Sequence, residues 1–317
     1  MTFTQLRTFA LVAELGSLRA AAGALGVSEP AVSASMAALR ADLGDPLFRR
    51  TTTGIALTPG GRALAGRARE LVRLADRTRR EVGSATSSGR LRVLATAACA
   101  EHVAGAVVAA FHRRAPQTSV DLVVGSTDCA ASALAEDGAD IVLGVRPVAA
   151  PGQTVDSVPF LRYRRVPVAA PDHPLVGRPS PRPPQLTGHR WLAGPGGLEA
   201  GSEEHRWAQL AGVADSVTPL DSEADALAAA RTRHGLVLAL EHEVRADLRR
   251  GTLVLLPIEG TPVTGMWWAS VPGEGRATAG ARALQRFLTT PDATTALLAR
   301  PERRGRTRPR VRVELWS

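Results

Sequence analysis

Residues 17–39 constrain the fold more than any other stretch, because their pattern predicts two short helices joined by a tight turn. Leucine and alanine recur at helical spacing in the first half, and Gly26 is expected to end the first helix because glycine readily adopts positive φ. Val27 is expected to plug the turn, Ser28 to cap the second helix and Pro30 to lie in its first turn. The pattern predicts a helix-turn-helix, whose second helix can enter the DNA major groove. A plain helical hairpin inside a larger core is the alternative.

The flanking segments predict a small winged domain around this pair of helices. Residues 4–15 are expected to form a helix capped by Thr4, and residues 49–57 a hairpin with a polar tip. Arg49 and Arg50 begin the hairpin, where they would lie near a phosphate backbone or the minor groove.

Positive charge is concentrated at the two ends of the chain. All 39 basic side chains are arginines; residues 1–90 carry a net charge of +6 and residues 300–317 a net charge of +5. Residues 91–299 carry a net charge of −2. A basic end with a helix-turn-helix fits phosphate contacts, whereas the nearly neutral middle indicates a different task.

A long helix is predicted over residues 59–83, with Thr58 as its cap and Pro59 at its first position. Small and apolar residues recur along this helix at spacings of four and three, a heptad seam that favours pairing of two copies of the chain. An ordinary amphipathic helix packed on its own domain is the alternative. The predicted dimerisation residues are Leu64, Ala68, Leu71, Ala75, Thr78 and Val82.

From Arg90 onwards, predicted strands and helices alternate, which indicates a mostly parallel sheet flanked by helices. No apolar run approaches the roughly 20 residues of a membrane helix. The N-terminus lacks a signal-peptide pattern, and two cysteines are too few for a disulfide framework. These observations predict a cytoplasmic protein that does not contact a membrane.

About sixty N-terminal residues carry a run of motif residues in a fixed order. The run comprises Gln5-Leu6-Arg7-Thr8-Phe9, Gly16-Ser17-Leu18, Ala21-Ala22, Leu25, Val27-Ser28-Glu29-Pro30-Ala31-Val32-Ser33, Leu39, Leu43-Gly44, Pro46-Leu47-Phe48-Arg49-Arg50 and Leu57-Thr58-Pro59-Gly60. In this order it resembles the LysR-type transcriptional regulator family. The remainder of the chain is similar to that family more weakly, for example at His173-Pro174-Leu175.

The resemblance implies an α/β protein with an N-terminal winged helix-turn-helix, a long linker helix and a two-lobed effector domain like that of periplasmic binding proteins. The implied domains are 1–58 for DNA binding, 59–89 for the linker, dimerisation helix and hinge, 90–299 for the effector and 300–317 for a basic, disordered tail. Lobe 1 would span about 90–160 and 266–299, and lobe 2 about 161–265.

The resemblance also implies a regulator that binds a pseudo-palindromic promoter site as a dimer or tetramer and responds to a small-molecule effector. Its partners would be double-stranded DNA, the effector, further copies of the chain and RNA polymerase. No cofactor is expected, and no metal, because the seven histidines show no metal-ligand spacing. An effector-independent architectural regulator is one alternative. An enzyme on the two-lobed fold is another, although no catalytic constellation accompanies it.

The predicted recognition helix departs from the family pattern at Glu29, Ala34 and Ser35, where relatives commonly carry Gln, Arg and Gln. The helix therefore lacks a bidentate base reader, and we expect Arg49, Arg50 and DNA shape to carry more of the binding. The candidate DNA-binding residues are Ser17, Ser28, Glu29, Pro30, Ser33, Ser35, Arg40, Arg49, Arg50 and Thr51.

Effector contacts are expected at strand C-termini and helix N-termini, where backbone N–H groups favour anions. Arg146 and Arg164 would suit a carboxylate effector, with a surface or hinge salt bridge as the alternative for each. Cys99 and Cys129 are interpreted as small buried residues rather than as a redox pair. Carrying over the family's positions implies the effector-binding residues Thr96, Ala98, Ser126, Thr127, Arg146, Arg164, Gly196, Gly197 and Ser202, and Cys99 beside Ala98 is added to these candidates.

Overall fold

The computed structural model describes residues 1–51, 54–86, 89–149, 151–195, 197–273 and 275–298. Among the predicted features, Gly196 and the 300–317 tail lie outside the described residues, as do the side chains of Arg50 and Val82. The chain divides into two compact units, Met1–Ser87 and Ser88–Ser317. None of the described helices combines the length and apolar character needed to cross a bilayer.

The first unit is a helical domain with a β-hairpin. Its elements are α1 (Phe3–Leu15), α2 (Leu18–Leu25), α3 (Glu29–Leu43), β1 (Phe48–Thr51), β2 (Gly54–Leu57) and α4 (Pro59–Thr86). The predicted helix-turn-helix is confirmed, because Ser17 and Ser28 cap α2 and α3, and Gly26 ends α2 at a φ of 66°. Leu47 and Phe48, at the base of the hairpin, pack with α1, α2 and α3 in one apolar core.

Three local predictions in this unit were wrong. Thr2, not Thr4, caps α1, because its side chain and that of Gln5 form a reciprocal capping box. Val27 does not plug the turn but is 47% exposed. Helix α4 continues to Thr86, beyond the predicted end at residue 83, because the glycine and serine residues there do not break it.

The second unit is built on one mixed sheet of nine strands. Its strands are β3 (Arg90–Thr96), β4 (Ser119–Gly125), β5 (Ile141–Gly144), β6 (Val155–Ala169), β7 (Trp191–Ala193), β8 (Val217–Pro219), β9 (Leu236–Leu240), β10 (Val254–Leu255) and β11 (Val263–Pro272). Its helices are α5 (Ala97–Cys99), α6 (Gly105–Arg114), α7 (Thr127–Ala135), α8 (Pro183–Leu186), α9 (Glu203–Leu210), α10 (Glu223–Arg231), α11 (Glu241–Arg250), α12 (Ala279–Leu288) and α13 (Pro291–Leu298). A π-helical segment, Ala100–Ala104, joins α5 to α6.

The sheet order is β4-β3-β5-β11-β6-β9-β7-β8, with β10 paired to β6. Strands β3, β4 and β5 are mutually parallel and form the first lobe, while β7, β8 and β9 form the parallel part of the second. The long strands β6 and β11 pair antiparallel with each other and join the lobes. The two-lobed α/β fold predicted from the sequence is confirmed.

Several elements differ from the prediction because tertiary context overrides local signals. The sequence pattern predicts a strand starting at Arg165 and a helix starting at Ala130, but strand β6 begins at Val155, ten residues earlier, and α7 begins at Thr127. Helix α11 was not predicted, since it is strongly polar and its buried residues are Val244 and Asp247. Separate apolar clusters lie on the two faces of the sheet in each lobe.

Candidate effector cleft and DNA-binding surface

The start of α3 and the hairpin present polar and basic groups on the surface of the first unit. Glu29, Pro30 and Ser33 are exposed, and so are Arg49 and Thr51 on β1. Ser17 and Ser28 use their hydroxyl oxygens to accept from backbone N–H groups as helix caps, at 3.3 and 3.4 Å.

Two candidate DNA-binding residues, Ser35 and Arg40, have polar side-chain atoms buried within their own domain. The Ser35 hydroxyl is buried and has no hydrogen-bond partner among the described residues. The Arg40 guanidinium lies 4.0 Å from the centre of the Phe48 ring, so it stacks on the hairpin base. Both residues are partly exposed, and a DNA contact through either of them stays a prediction.

The heptad seam of α4 divides into two parts. Ala68 is fully buried and Leu64 packs against the core of the first unit, so these two predicted dimerisation residues serve their own domain. Leu71 is 44% exposed and Leu74, one turn further on, is 53% exposed. Ala75 is partly buried, whereas Thr78 is exposed and its hydroxyl donates to the Leu74 carbonyl at 2.9 Å.

A small cavity of about 40 Å³ lies in the second unit between the two lobes. It is referred to below as the cleft cavity. Its volume holds only a few water molecules, so the lobes are closed on each other. Its lining includes Ala98, Glu101, Tyr163, Arg165, Trp191, Gly194, Gly197, Leu198, Glu199, Ser202, Glu204, Trp207, Glu223, Leu238 and Trp267.

Arg165 is the buried cation of this cavity. Its Nε donates to Glu204 Oε1 at 2.8 Å, and its Nη1 donates to both carboxylate oxygens of Glu223 at 2.8 and 2.9 Å. Burial opposes ionisation of Glu223, but Arg165 and His102 outweigh it and lower the pKa of that carboxyl to about 2. Tyr163 donates to Glu204 at 3.0 Å, and burial followed by the Glu204 charge raises the tyrosine pKa. One guanidinium is therefore already paired with two carboxylates.

Carboxylates also make the contacts that join the lobes. The Ala98 N–H of lobe 1 donates to Glu199 Oε1 of lobe 2 at 3.0 Å. Glu101 accepts from the Glu223 N–H at 3.0 Å and from the Ala224 N–H at 3.3 Å, at the N-terminus of α10. His102 Nε2 lies 3.0 Å from Glu223 Oε2. The glutamates occupy backbone donors at helix starts that could otherwise bind an anion.

Of the candidate effector-binding residues, Ala98, Gly197 and Ser202 line the cleft cavity. Ser202 is buried and caps α9 by accepting from the His205 N–H at 3.1 Å. Thr96 is buried two residues before Ala98, and its hydroxyl lies near the Glu199 carboxylate, where it partly offsets the effect of burial on the pKa of that group. Cys99 is also buried, and burial followed by the Glu199 charge raises its pKa well above the usual value. That shift favours an unreactive thiol.

The other candidates lie outside the cleft cavity. The Arg164 side chain is 52% exposed and pairs with Glu241 at 3.4 Å, because neighbouring residues of a strand point to opposite faces. Arg146 is exposed and lies 5.2 Å from the Trp268 ring. Ser126 is exposed, and the Thr127 hydroxyl is buried with no hydrogen-bond partner among the described residues, so neither lines the cavity.

Sequence reasoning missed the residues that give the cavity its chemistry, which are Glu101, Tyr163, Arg165, Glu199, Glu204, Glu223 and Trp267. Strand parity could have identified two of them, since Tyr163 and Arg165 are two residues apart on β6 and share its inner face. The glutamates lie on loops and helix starts, where no repeating pattern marks them. Among the described residues, no three His, Cys, Asp or Glu side chains form a group that could hold a metal ion.

Two family models match this chain. Residues 3–62 match the bacterial regulatory helix-turn-helix protein model of the lysR family, and residues 84–291 match the LysR substrate binding domain. The chain belongs to the LysR family. This LysR-family protein is therefore a DNA-binding transcriptional regulator with an effector-binding domain, and it is not an enzyme.

Similar proteins support the assignment along the whole length. The uncharacterized HTH-type transcriptional regulator Rv0377 of Mycobacterium tuberculosis is 36% identical to this LysR-family chain, over all of both chains. CbbR of Xanthobacter flavus is 28% identical, over 90% of this chain and 87% of its own. The solved structure of full-length CbnR complexed with its target DNA has a TM-score of 0.54 at 23% identity, covering 91% of this chain and 99% of CbnR.

Proposed function

We propose that this regulator binds a pseudo-palindromic promoter site through α3 and the β1–β2 hairpin, as a dimer or tetramer. Exposure of Arg49 at the start of the hairpin is the observation that carries the proposal, because an exposed guanidinium there can pair with a phosphate. Glu29, Ser33 and Thr51 are exposed on the same unit and can contact DNA alongside it. The fold that this chain shares with CbnR, which was solved with its target DNA, supports the same reading.

The proposal assigns the choice of bases largely to DNA shape. The exposed start of α3 offers Ser33, Glu29 and small apolar groups, none of which makes the two-point contact of an arginine or glutamine with a purine. The exposed Arg49 neutralises phosphate regardless of sequence. Arg40 contributes by holding the hairpin against α3 through its stacking on Phe48.

A binding titration of the full chain tests the DNA assignment. Labelled DNA from upstream of the gene is titrated at several salt concentrations with the wild type, with Arg49→Ala and with the control Arg67→Ala. Arg67 is exposed on α4 and pairs with Glu70 at 2.9 Å. Arg49→Ala is expected to weaken binding to all sequences and to reduce the salt slope by roughly one, whereas Arg67→Ala leaves both unchanged. Equal affinities and slopes for the three proteins would rule out the hairpin contact.

We also propose that the exposed second half of the α4 seam, from Leu71 onwards, contacts a second copy of the chain. Leu71 and Leu74 lie three residues apart, so they share one helix face that can pack against its twin. Contact with RNA polymerase stays a prediction from the family resemblance, and a cytoplasmic location stays a prediction from the sequence.

The effector is proposed to bind in the cleft cavity, where it acts by changing how closely the two lobes approach. The described contacts between the lobes include hydrogen bonds from backbone N–H groups to Glu199 and Glu101, so a ligand that competes with these bonds can shift the equilibrium. The predicted carboxylate effector depended on Arg146 and Arg164, and both side chains lie outside the cavity lining. The positions of these two arginines therefore give no support to a carboxylate.

A further inference from the structure

The charged side chains of the cleft cavity are unbalanced. Four carboxylates line it, Glu101, Glu199, Glu204 and Glu223, against the single guanidinium of Arg165. Arg165 is engaged by Glu204 and Glu223. Glu101 and Glu199 make no ion pair among the described residues and are held by backbone N–H groups. An anion entering this space would meet unpaired negative charge at short range, where the local dielectric is low.

The Glu199 carboxylate can accept further hydrogen bonds. Its Oε1 accepts from the Ala98 N–H at 3.0 Å, and the Thr96 hydroxyl lies near the same carboxylate, which leaves further acceptor positions on its two oxygens. Burial raises the pKa of Glu199, and the Ala98 N–H, the Thr96 hydroxyl and the more distant charge of Arg165 only partly offset it, so no ion-paired positive charge balances this carboxylate. A bound cation would supply that charge.

Aromatic side chains form the remaining walls of the cavity. The rings of Tyr163 and Trp267 lie 4.7 Å apart, and those of Trp191 and Trp207 lie 5.4 Å apart. All four residues line the cavity. Aromatic rings attract cations through their negative faces and also accept alkyl groups. Carboxylates together with aromatic walls suit an organic ammonium compound, and no metal-holding group occurs among the described residues.

We infer that the effector is a small organic amine, whose ammonium group binds the Glu199 carboxylate while its carbon chain lies against the tryptophans. The inference rests on the proposed function, because it takes the cleft cavity as the effector site. The lobes must part to admit the ligand, since the closed cavity holds only water-sized molecules.

Three four-carbon probes test this inference on the full-length protein. They are 1,4-diaminobutane, 1,4-butanediol and succinate, which share a chain length and differ in charge. We measure the melting temperature and the tryptophan fluorescence at matched ionic strength and pH 7. The diamine is expected to raise the melting temperature and change the fluorescence, while the diol and succinate leave both unchanged. This comparison on the wild type does not depend on any variant folding.

A pair of variants locates the contact. Glu199→Gln keeps an oxygen for the Ala98 N–H but removes the charge, and it is expected to weaken diamine binding about tenfold or more. Glu203→Gln is the matched control on α9, because that carboxylate pairs with Arg206 at 3.1 Å and does not line the cavity. Its affinity for the diamine stays within about twofold of the wild type.

Three results would overturn the inference: stabilisation by succinate and not by the diamine, no response to any probe, or equal diamine binding by Glu199→Gln and the wild type. The promoter titration is run on the same samples. Intact DNA binding without a diamine response removes only the amine inference. Loss of DNA binding by the wild type would remove the proposed function itself.

Discussion

The backbone N–H of Ala98 and the carboxylate of Glu199 meet at 3.0 Å across the two lobes. This contact places a carboxylate of the second lobe against a backbone N–H at the start of a helical segment of the first. Burial in this confined space raises the pKa of the carboxyl, because its negative charge is less well solvated there than in water.

Glu199→Gln is expected to raise the stability of the ligand-free protein at pH 7. Burial raises the pKa of Glu199 above its ordinary value of 4.5, so the folded state binds this proton more tightly than the unfolded state. The stabilising effect of protonation is complete below pH 4.5 and is lost as the pH rises through the folded-state pKa. Urea unfolding at pH 7 and at pH 4.5 should show the variant's advantage shrinking at the lower pH. A variant less stable than the wild type at pH 7 would contradict this account.

Arg165→Met is expected to destabilise the second unit by about 3–5 kcal/mol, because it leaves the Glu204 and Glu223 carboxylates buried without their cation. The neighbouring Arg164→Met provides a control on the same strand, since its exposed pair with Glu241 contributes at most about 1 kcal/mol. Chemical unfolding followed by circular dichroism measures both. Similar losses for the two variants would show that the Arg165 pairing is not a special feature of the fold.

Asp247→Asn is expected to reduce stability at pH 7 by about 1–3 kcal/mol. Hydrogen bonds from Arg231 at 2.9 Å and from Thr252 at 2.7 Å lower the Asp247 pKa from 3.8 to about 2. A lowered carboxyl pKa stabilises the fold above pH 3.8, and that contribution is lost as the pH falls towards 2. The difference from the wild type should therefore be full at pH 7 and smaller at pH 3. The exposed Asp221→Asn serves as a control, with an expected change below about 0.5 kcal/mol.

The variants Leu71→Ser and Ala68→Leu test the different roles of the two parts of the α4 seam. Leu71 is exposed within the chain, so its loss is expected to weaken self-association, seen by sedimentation velocity, while the fold is kept. Ala68 is fully buried in the first unit, so a larger side chain is expected to cost about 1–3 kcal/mol of stability through overpacking. Unchanged sedimentation of Leu71→Ser would exclude this helix face as the oligomer contact.

Helix caps and turn residues were sufficient to predict the helices of the first unit from the sequence. Ser17, Gly26 and Ser28 act within a few residues of themselves as caps and turn residues, so their effect does not depend on distant contacts. The sequence did not show which residues of the α4 seam are buried in their own domain, because the burial of Ala68 depends on the packing of α1 beside α4. Helix α11 was missed for a related reason, since its polar sequence offers no apolar stripe and is held by Val244 and the Asp247 network.

The alternating pattern of a strand predicts some residues of the effector cleft but not others. Arg164 and Arg165 are adjacent in the sequence and so lie on opposite faces of β6, and the packing of this strand between β11 and β9 places Arg165 on the inner face. The family position pointed to Arg164, while the buried guanidinium belongs to Arg165. Glu199 reaches Ala98 across about a hundred residues of chain, and no local signal marks such a contact.

The topology of the mixed sheet also governs the order in which the chain can fold. β5 ends at Gly144, yet its antiparallel neighbour β11 begins only at Val263, after the whole of the second lobe. During synthesis, one edge of the first lobe's sheet stays unpaired until β11 has left the ribosome. Pairing between strands so far apart in the sequence slows folding. Since β11 is shared between the lobes, neither lobe can be released from the chain as an independently folding domain.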